Sequence, residues 1–554
     1  MKLINDISTR YELADLLHIR LRPLAYVLYI SKPNSYYRTF YIPKKNGDLR
    51  EIQAPCGKLK YIQQRLMAEL NNYQDYLSKT QGIKTNIAHA FIKKKSIISN
   101  ASIHKNKRIV INVDLKDFFH TIHFGRIKGF FEKNHFYQLP SDIATMIAQI
   151  TCYNGHLPQG APSSPVITNL ICQVLDYNIL RIAKKHRLDY TRYADDLTFS
   201  TNKGDFMDNY QSFMTELSKE IERNGFIINE NKTRLVRRES KQTVTGLTVN
   251  KKINVDRSFY KLTRAMADCL YKTGSFDIDG EPGTINMLEG RFSFIDQIVH
   301  YNNINDGKKH DYRSLCARER EYQKFLFYKY FYANERPLII TEGKTDVLHL
   351  KAALRKLYLQ YPDLIQKKQD GSFEYKISFF RRTKRMKYFF NISPDGADTM
   401  KSIYQFYTGR NNVPNYFQTL SARNMENAVI FLFDNETCSE RPLKKFMDWA
   451  KLQTAQRTEL KSKLYAQLID DSKLYLATTP LLAEKKETEI EDLYPESVQN
   501  IKLSGKEFCR ASVFDSERYY GKDIFSKYVY NHYDSIDFSG FVPLLDAIRN
   551  AIQS

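Results

Sequence analysis

The chain has 554 residues, which is long for one hydrophobic core and predicts about three or four domains. Lys and Arg outnumber Asp and Glu by 84 to 62, and the formal charge of +22 favours a polyanionic partner, with nucleic acid the first candidate. The seven cysteines lack Cys-x-x-Cys spacing and no apolar run reaches about 18 residues, so we expect a cytoplasmic protein with no zinc ribbon, no disulfide frame and no membrane partner.

The first predicted elements are a helical unit over residues 1–35 and then a basic β-hairpin. Phe40-Tyr-Ile-Pro-Lys-Lys45 and Leu49-Arg-Glu-Ile-Gln53 flank Asn46-Gly47, a strong signal for a two-residue hairpin turn. Lys44, Lys45 and Arg50 could project from this hairpin toward phosphates. A solvated edge strand protected by lysine explains the same residues equally well. An amphipathic helix is predicted over residues 58–80.

Two strand-like segments carry carboxylates. Ile111-Asn-Val-Asp114 is an apolar strand that ends on an acid, and the alternating stretch from Tyr190 to Ser200 has Asp195 and Asp196 side by side at its middle. We expect Asp-Asp to form the tight connection of a hairpin, which leaves both acids free to hold cations. An isolated pair is more often an ordinary solvated turn, but Leu157-Pro-Gln-Gly-Ala-Pro-Ser-Ser-Pro165 lies between the two segments.

These three blocks, in this order, resemble the palm of reverse transcriptases. The resemblance implies a right-hand fold of fingers, palm and thumb in which Asp114, Asp195 and Asp196 hold two Mg²⁺ ions for nucleotidyl transfer from dNTPs. It assigns Phe119 to the exclusion of a 2′-hydroxyl and Lys232 to protonation of pyrophosphate, although by itself Lys232 would be a surface lysine. The nucleotide-binding residues that it implies are Lys44, Arg50, Phe119, Gln159, Gly160 and Lys232.

Two further motifs are similar to those of retron reverse transcriptases. Asn100-Ala-Ser-Ile-His104 fits the Asn-Ala-x-x-His signature, and Val244-Thr245-Gly246 fits the Val-Thr-Gly hallmark. The resemblance implies that Asn100, His104, Val244, Thr245 and Gly246 recognise a cognate noncoding RNA, whereas chemistry alone favours a structural His104. It also implies that an internal guanosine 2′-hydroxyl primes synthesis and that the branched RNA-DNA product stays bound.

The sequence predicts fingers and palm over residues 1–250, a helical thumb and connector over 251–333, and a third domain over 334–554. In the third domain apolar strands alternate with helices, which predicts a parallel α/β sheet. Leu338-Ile-Ile-Thr-Glu342-Gly-Lys-Thr-Asp346 and Ala428-Val-Ile-Phe-Leu-Phe-Asp434-Asn-Glu436 both end a strand on acids, where such sheets place their sites.

This third domain resembles the TOPRIM domain of topoisomerases, primases and OLD-type nucleases, a Rossmann-like α/β fold. The resemblance implies that Glu342 acts as general acid or base and that one or two Mg²⁺ ions are held by carboxylates. The implied ligands are Glu342, Asp346, Asp434, Glu436 and Glu491. The usual Asp-x-Asp stands here as Asp434-Asn-Glu436, which lengthens one ligand. A nuclease acting on DNA or RNA is the expectation, and the retron family implies a role in antiphage defence.

Two alternatives stay open at this point. The chain could be a reverse transcriptase of another class, such as a group II intron maturase, although those enzymes often end in a Cys/His-rich nuclease module. The third domain could instead be a binding or assembly module with inert acids. A homo-oligomer is compatible with the sequence, which does not fix the number of copies.

Overall fold

The structure, a computed structural model, describes residues 2–44, 47–82, 87–393, 398–437, 441–483, 485–511 and 513–554. Its internal contacts divide it into two units, Met1–Arg257 and Ser258–Ser554. Lys45 and Asn46 of the predicted hairpin turn lie outside the described residues.

The first unit is built around a mixed set of helices and a four-stranded sheet. Its helices are α1 (Arg10–Leu16), α2 (Leu21–Ala25), α3 (Gly57–Thr80), α4 (Ile97–Ile103), α5 (Phe124–Lys133), α6 (Ser141–Thr151), α7 (Ser164–Lys185) and α8 (Phe206–Arg223). Its strands are β1 (Tyr37–Pro43), β2 (Leu49–Pro55), β3 (Ile109–Leu115), β4 (Asp189–Tyr193), β5 (Asp196–Thr201), β6 (Ile228–Arg237), β7 (Thr243–Val244) and β8 (Leu247–Thr248).

Strand β3 lies inside the sheet, whose order is β4-β5-β3-β6 and whose neighbouring strands are all antiparallel. Its side chains are buried at every position except Asn112, as expected of a strand covered on both faces. The predicted hairpin is present, with β1 paired to β2 from Tyr37↔Pro55 to Pro43↔Leu49. The predicted helix over residues 58–80 is present as α3.

Helix α7 is long and apolar enough to cross a membrane by length and composition, among the residues that the structure describes. However, 56% of its most apolar window is buried inside the structure. Leu170, Cys172, Leu175 and Ile179 belong to the hydrophobic core of the first unit, so α7 is a core helix of that unit.

The second unit contains a parallel sheet and many helices. Its helices are α9 (Arg257–Thr273), α10 (Ile285–Asn305), α11 (Ala317–Phe327), α12 (Asp346–Lys356), α13 (Lys384–Phe390), α14 (Thr399–Thr408), α15 (Tyr416–Thr419), α16 (Pro442–Ala450), α17 (Thr454–Lys463), α18 (Glu496–Gln499), α19 (Lys522–Asn531) and α20 (Val542–Gln553). Its strands are β9 (Asp277–Ile278), β10 (Glu281–Pro282), β11 (Leu338–Thr341), β12 (Ile365–Lys367), β13 (Phe373–Tyr375), β14 (Ser378–Phe379), β15 (Val429–Phe433), β16 (Tyr465–Gln467), β17 (Leu474–Thr478), β18 (Glu507–Phe508) and β19 (Tyr519–Tyr520).

The main sheet of the second unit has the order β14-β11-β15-β17-β16. Strands β14, β11, β15 and β17 are parallel, which confirms the predicted parallel sheet, and β16 is an antiparallel edge strand. From β11 the chain continues to β14 on one side and later to β15 on the other. The strand order therefore reverses between β11 and β15, and ligands of open α/β sheets bind outside the carboxyl ends of strands at such a reversal.

The predicted boundary near residue 334 falls inside the second unit. The helices predicted as a thumb share one hydrophobic core with the parallel sheet. In that core Phe327 packs against Tyr407 with ring centroids 4.9 Å apart, and Phe331 packs against Phe380 at 5.5 Å. The division seen in the structure lies instead at Arg257 and Ser258, close to the end of the predicted palm.

Candidate active sites

The three predicted polymerase aspartates lie at adjoining strand ends in the first unit. Asp114 and Asp196 are directly paired between β3 and β5, and the backbone N–H of Leu115 donates to the carbonyl of Asp195 at 3.0 Å. The hairpin differs from the prediction by one residue. Tyr193 pairs with Asp196, so Ala194 and Asp195 form the loop and Asp196 begins β5. Ala194 has a φ of 58°, the positive value that such two-residue loops require.

Burial and mutual repulsion dominate the electrostatics of these carboxylates. Burial, followed by the charges of Asp195 and Asp114, raises the pKa of Asp196 to about 7. Burial also raises the pKa of Asp195, and the Asp114 charge adds to the effect against a backbone hydrogen bond that lowers it. The cations of the protein therefore neutralise only part of the negative charge at this site.

The donor set fits Mg²⁺, which prefers carboxylate oxygens. Among the described residues no group of three or more His, Cys, Asp or Glu side chains is arranged to hold a metal ion by itself. Mg²⁺ is commonly bound by one or two carboxylates together with water and substrate phosphates, so a complete protein cage is not required. Asp114, Asp195 and Asp196 are the residues that would hold it.

Lys232, for which the sequence predicts a role in protonating pyrophosphate, contacts the carboxylate of Asp114 in the structure. Its ammonium lies 2.9 Å from Oδ1 of Asp114, and Asn229 Nδ2 donates to the same oxygen at 3.0 Å. Both side chains come from β6, which pairs with β3. The pair holds Asp114 in one orientation and partly neutralises it, a role that the sequence pattern did not indicate for Asn229.

The predicted nucleotide-binding residues come from the hairpin and from the loop before α7. Arg50 is exposed, and its charge is one of the influences that lower the pKa of Asp195. The carbonyl of Gln159 accepts a hydrogen bond from Gln53 N at 2.9 Å. Gly160 has a φ of 126°, and a Cβ there would lie 2.7 Å from Cγ2 of Ile52. The close approach at Gly160 is therefore to strand β2, which ties the hairpin to the palm.

The other two predicted nucleotide contacts are less constrained. Lys44 is exposed at the end of β1, where its N–H donates to the carbonyl of Asp48 at 2.7 Å. Phe119 is half-buried and packs edge-on against Phe118, with centroids 5.5 Å apart. Their roles stay predictions.

The Asn100 and His104 side chains predicted to recognise RNA are fully buried. The His104 ring contacts Ser200 Oγ at 2.8 Å and Thr191 Oγ1 at 2.7 Å, and burial lowers its pKa to about 3. His104 is thus a satisfied structural histidine between α4 and the sheet. Neither side chain is exposed to solvent in this structure, and their role in recognising RNA stays a prediction.

The Val-Thr-Gly motif forms the β7-β8 hairpin next to α4. Val244 is buried, while Thr245 and Gly246 form the loop with positive φ values of 46° and 81°. The Thr245 hydroxyl donates to the carbonyl of Ile97, the first residue of α4, at 3.3 Å. The two retron-like motifs are therefore neighbours, and Thr245 and Gly246 are the part of them nearest the surface.

A second acidic cluster lies at the carboxyl ends of β11 and β15, where the strand order of the second unit reverses. Asp434 N–H donates to Glu342 Oε1 at 3.0 Å, and Ile490 N–H donates to Asp434 Oδ1 at 2.9 Å. Asp346 accepts from the N–H of Gly343 at 2.8 Å. The structure thus brings together predicted residues from three separate segments.

Like-charge repulsion is strong in this cluster. Burial and then the Asp346 charge raise the pKa of Glu342 to about 8, and burial raises the pKa of Asp346 to about 6. Burial, Asp346 and Glu342 raise the pKa of Asp434 well above its usual range. Glu491 is fully buried, and within the described part of the chain its Oε1 has no hydrogen-bond partner. A carboxylate oxygen without a hydrogen bond, among acids whose pKa values are raised, is suited to binding a cation.

Two cations already contact this cluster. Lys522 Nζ lies 3.1 Å from Glu489 and 3.2 Å from Glu491, and Arg441 lies 3.4 Å from Glu436. Burial alone lowers the pKa of Lys522, but Glu491 and Glu489 raise it above its usual range. Glu342, Asp346, Asp434 and Lys522 line a cavity of about 520 Å³, so the cluster is accessible to a ligand.

Sequence reasoning missed a buried ion pair behind the polymerase turn. Arg192 is fully buried and its Nη2 lies 2.7 Å from Oδ2 of Asp176 on α7. An acid within an apolar core helix is unusual unless it is paired, and that was the available signal. Glu489 was also missed, because only the folded chain brings it to Lys522.

The chain was compared with known proteins. A family model described as reverse transcriptase (RNA-dependent DNA polymerase) matches residues 42–249. The retron Ec86 reverse transcriptase of Escherichia coli is 33% identical over 255 residues, covering 46% of this chain and 75% of that protein. The retron Mx65 reverse transcriptase of Myxococcus xanthus is 33% identical over 246 residues, covering 42% of this chain and 55% of that protein.

Among solved structures, apo telomerase from Candida tropicalis, truncated from its C-terminal domain, matches with a TM-score of 0.30 and 14% identity over 42% of this chain and 56% of that chain. The sequence matches and the pairing of Asp114 with Asp196 at adjoining ends of β3 and β5 both point to a reverse transcriptase. The chain belongs to the retron reverse transcriptases.

Proposed function

We propose that this RNA-directed DNA polymerase copies part of a cognate noncoding RNA into DNA and retains a branched RNA-DNA product. The observation that supports the catalytic part is the convergence of Asp114, Asp195 and Asp196 at adjoining strand ends. These carboxylates would hold Mg²⁺, which would stabilise charge on the attacking hydroxyl and on the leaving pyrophosphate. The charge of Arg50 acts on Asp195, and Arg50 would supply positive charge for the triphosphate of the incoming dNTP.

The test is extraction of the nucleic acid that copurifies with the protein, followed by digestion with a debranching enzyme and sequencing. We expect a DNA strand joined to RNA through a 2′,5′ linkage. An Asp195→Asn variant should copurify with the RNA alone, since the substitution removes one carboxylate charge and leaves the rest of the chain unchanged. A linear cDNA, or sequences from many cellular RNAs, would favour another class of reverse transcriptase.

For the second unit we propose a TOPRIM-type nuclease that acts on DNA or RNA and serves as the effector of an antiphage system. The supporting observation is that Glu342, Asp346 and Asp434 meet at the reversal of strand order beside a cavity. Glu342 has the raised pKa of a general acid or base near neutral pH. One or two Mg²⁺ ions would be held by Asp346, Asp434 and Glu491.

The separation of the two activities can be tested in cells and with purified protein. Glu342→Ala should leave DNA synthesis unchanged and abolish both toxicity to the host and protection against phage. With labelled DNA and RNA, purified protein should show Mg²⁺-dependent cutting that Asp434→Ala abolishes. Loss of DNA synthesis in Glu342→Ala would argue against two separate sites.

A binding or assembly module is the second candidate for this unit. It is favoured by the ion pairs that already neutralise part of the cluster, Lys522 with Glu489 and Glu491, and Arg441 with Glu436. Under this alternative the purified protein does not cut nucleic acid, and Asp434→Ala leaves protection against phage intact. The experiment described for the nuclease therefore separates the two candidates.

A further inference from the structure

The backbone on both sides of Asp195 is anchored. The carbonyl of Asp195 accepts a hydrogen bond from Leu115 N–H at 3.0 Å, which fixes the peptide after Asp195 to β3 beside Asp114. The carbonyl of Ala194 accepts a hydrogen bond from Arg192 Nη1 at 3.2 Å, which fixes the peptide before it. Asp195 is therefore held between two fixed peptides, and a side chain of the preceding strand, β4, supplies one of the two anchors.

Hydrogen bonds to Asp176 and Asn169 orient the side chain of Arg192. Its Nε and Nη2 donate to the two carboxylate oxygens of Asp176 at 2.8 and 2.7 Å, and its side chain is completely buried. Nη2 also donates to Asn169 Oδ1 at 3.2 Å, and the Tyr190 hydroxyl donates to Asp176 at 3.0 Å. Because guanidinium is planar and the Asp176 contact is bidentate, the direction of the third nitrogen, Nη1, is fixed as well.

Arg192 acts on the loop of Ala194 and Asp195 through its position and not through its charge. Asp176 neutralises its charge at contact distance, and the cations that lower the pKa of Asp195 are Lys232 and Arg50. Ala194 has a positive φ without being glycine, a conformation that persists only where the surroundings determine it. The hydrogen bond from Arg192 to the Ala194 carbonyl is such a determinant.

We propose that Arg192, oriented by Asp176, is a positioning residue for DNA synthesis that sets the loop carrying Asp195 against Asp114. Without it the loop, and with it the Asp195 carboxylate, shifts relative to Asp114 and Asp196, which the ladder between β3 and β5 holds together. A displacement of about 1 Å at a reacting centre can lower a rate by about 10²-fold.

The main test is the double variant Arg192→Met with Asp176→Leu. It replaces both charged groups by apolar side chains of similar volume, so no unpaired charge stays buried. We expect a folded protein whose kcat for primer extension falls about 10²-fold, with a smaller change in KM for dNTP. The Mg²⁺ concentration for half-maximal rate should rise about 10-fold. Mn²⁺ binding to a complex with a dideoxy-terminated primer, followed by electron paramagnetic resonance, should weaken by a similar factor without turnover.

Arg192→Lys is the second variant, because it keeps a cation for Asp176 but lacks the planar third nitrogen that reaches Ala194. It should fold and still lose most of kcat. The matched control is Asn178→Ala on α7, the helix that carries Asp176. Asn178 Nδ2 donates a hydrogen bond of 2.7 Å to Glu220 Oε1 and none to the loop of Ala194 and Asp195. That variant should lower the melting temperature and leave kcat unchanged.

Wild-type kcat and Mg²⁺ requirement in either Arg192 variant would overturn the proposal. So would an Asn178→Ala variant that loses as much kcat as Arg192→Lys for the same loss of melting temperature, because the effect would then be one of stability alone.

Discussion

Removing residues 334–554 should unfold the helices predicted as the thumb. In the second unit, Tyr322 packs against Phe389 at 5.0 Å, and Phe327 packs against Tyr407 at 4.9 Å. A chain that ends at residue 333 uncovers four aromatic side chains of this segment that are now buried, namely Tyr322, Phe327, Phe331 and Tyr332. At about 1.5–3 kcal/mol each, the loss reaches about 6–12 kcal/mol. That is comparable with the whole stability of a domain, about 5–15 kcal/mol.

The assay compares three chains, namely residues 1–333, residues 1–257 and the full length, by limited proteolysis with mass spectrometry and by binding of a dye for exposed apolar surface. We expect residues 258–333 of the first chain to be digested rapidly and to bind the dye. Residues 1–257 should stay protected, because that chain ends at the observed division. A monomeric chain of residues 1–333 in which α10 and α11 resist protease as they do at full length would refute the reasoning.

Three further substitutions test individual contacts in the first unit. Asn229→Ala removes the hydrogen bond to Asp114 and should raise the Mg²⁺ requirement of primer extension about 10–100-fold; an unchanged requirement contradicts an orienting role. Gly160→Ala should lower the free energy of unfolding by about 1–3 kcal/mol in urea titrations, and adding Ile52→Ala should restore part of it, since the new Cβ meets Ile52. Burial lowers the pKa of His104 to about 3, so below about pH 6.5 the unfolded chain binds a proton that the folded chain does not. The contribution of His104 alone should therefore lower stability by about 1.4 kcal/mol per unit as pH drops from 6.5 toward 3. Buried carboxylates with a raised pKa, such as Asp196, act in the opposite direction, so the test compares wild type with His104→Gln in urea titrations at pH 5 and 7. From pH 7 to pH 5 the free energy of unfolding of the wild type should fall relative to that of His104→Gln, and an unchanged difference would contradict the prediction.

Much of the polymerase site could be predicted because local pattern and chemistry coincide there. Asp114 ends an apolar strand, and the Asp195-Asp196 doublet interrupts an alternating one, so both placements followed from periodicity. The exact loop could not be predicted, because a hydrogen bond from buried Arg192 contributes to placing Ala194 in it. That bond depends on Asp176, which comes from another element of the fold.

The remaining differences have the same origin in tertiary packing. Helical periodicity in residues 257–330 predicts helices but does not say what their apolar faces cover, and the observed partner is the parallel sheet of the second unit. His104 could be weighed as structural or functional, and its burial between Ser200 and Thr191 depends on the sheet assembled around it. The strand order that brings Glu342 to Asp434 is likewise a property of the folded unit.

The hydrophobic core of the second unit connects helix α11 with the wall of the acidic cavity. Tyr416 packs on Phe327 of α11 and donates a hydrogen bond to Gln323 of the same helix. Helix α14 lies in this core, and its first residues, Thr399 and Lys401 among them, line the acidic cavity. Since densely packed interiors transmit strain, a shift of α11 is carried through this core to the wall of that cavity.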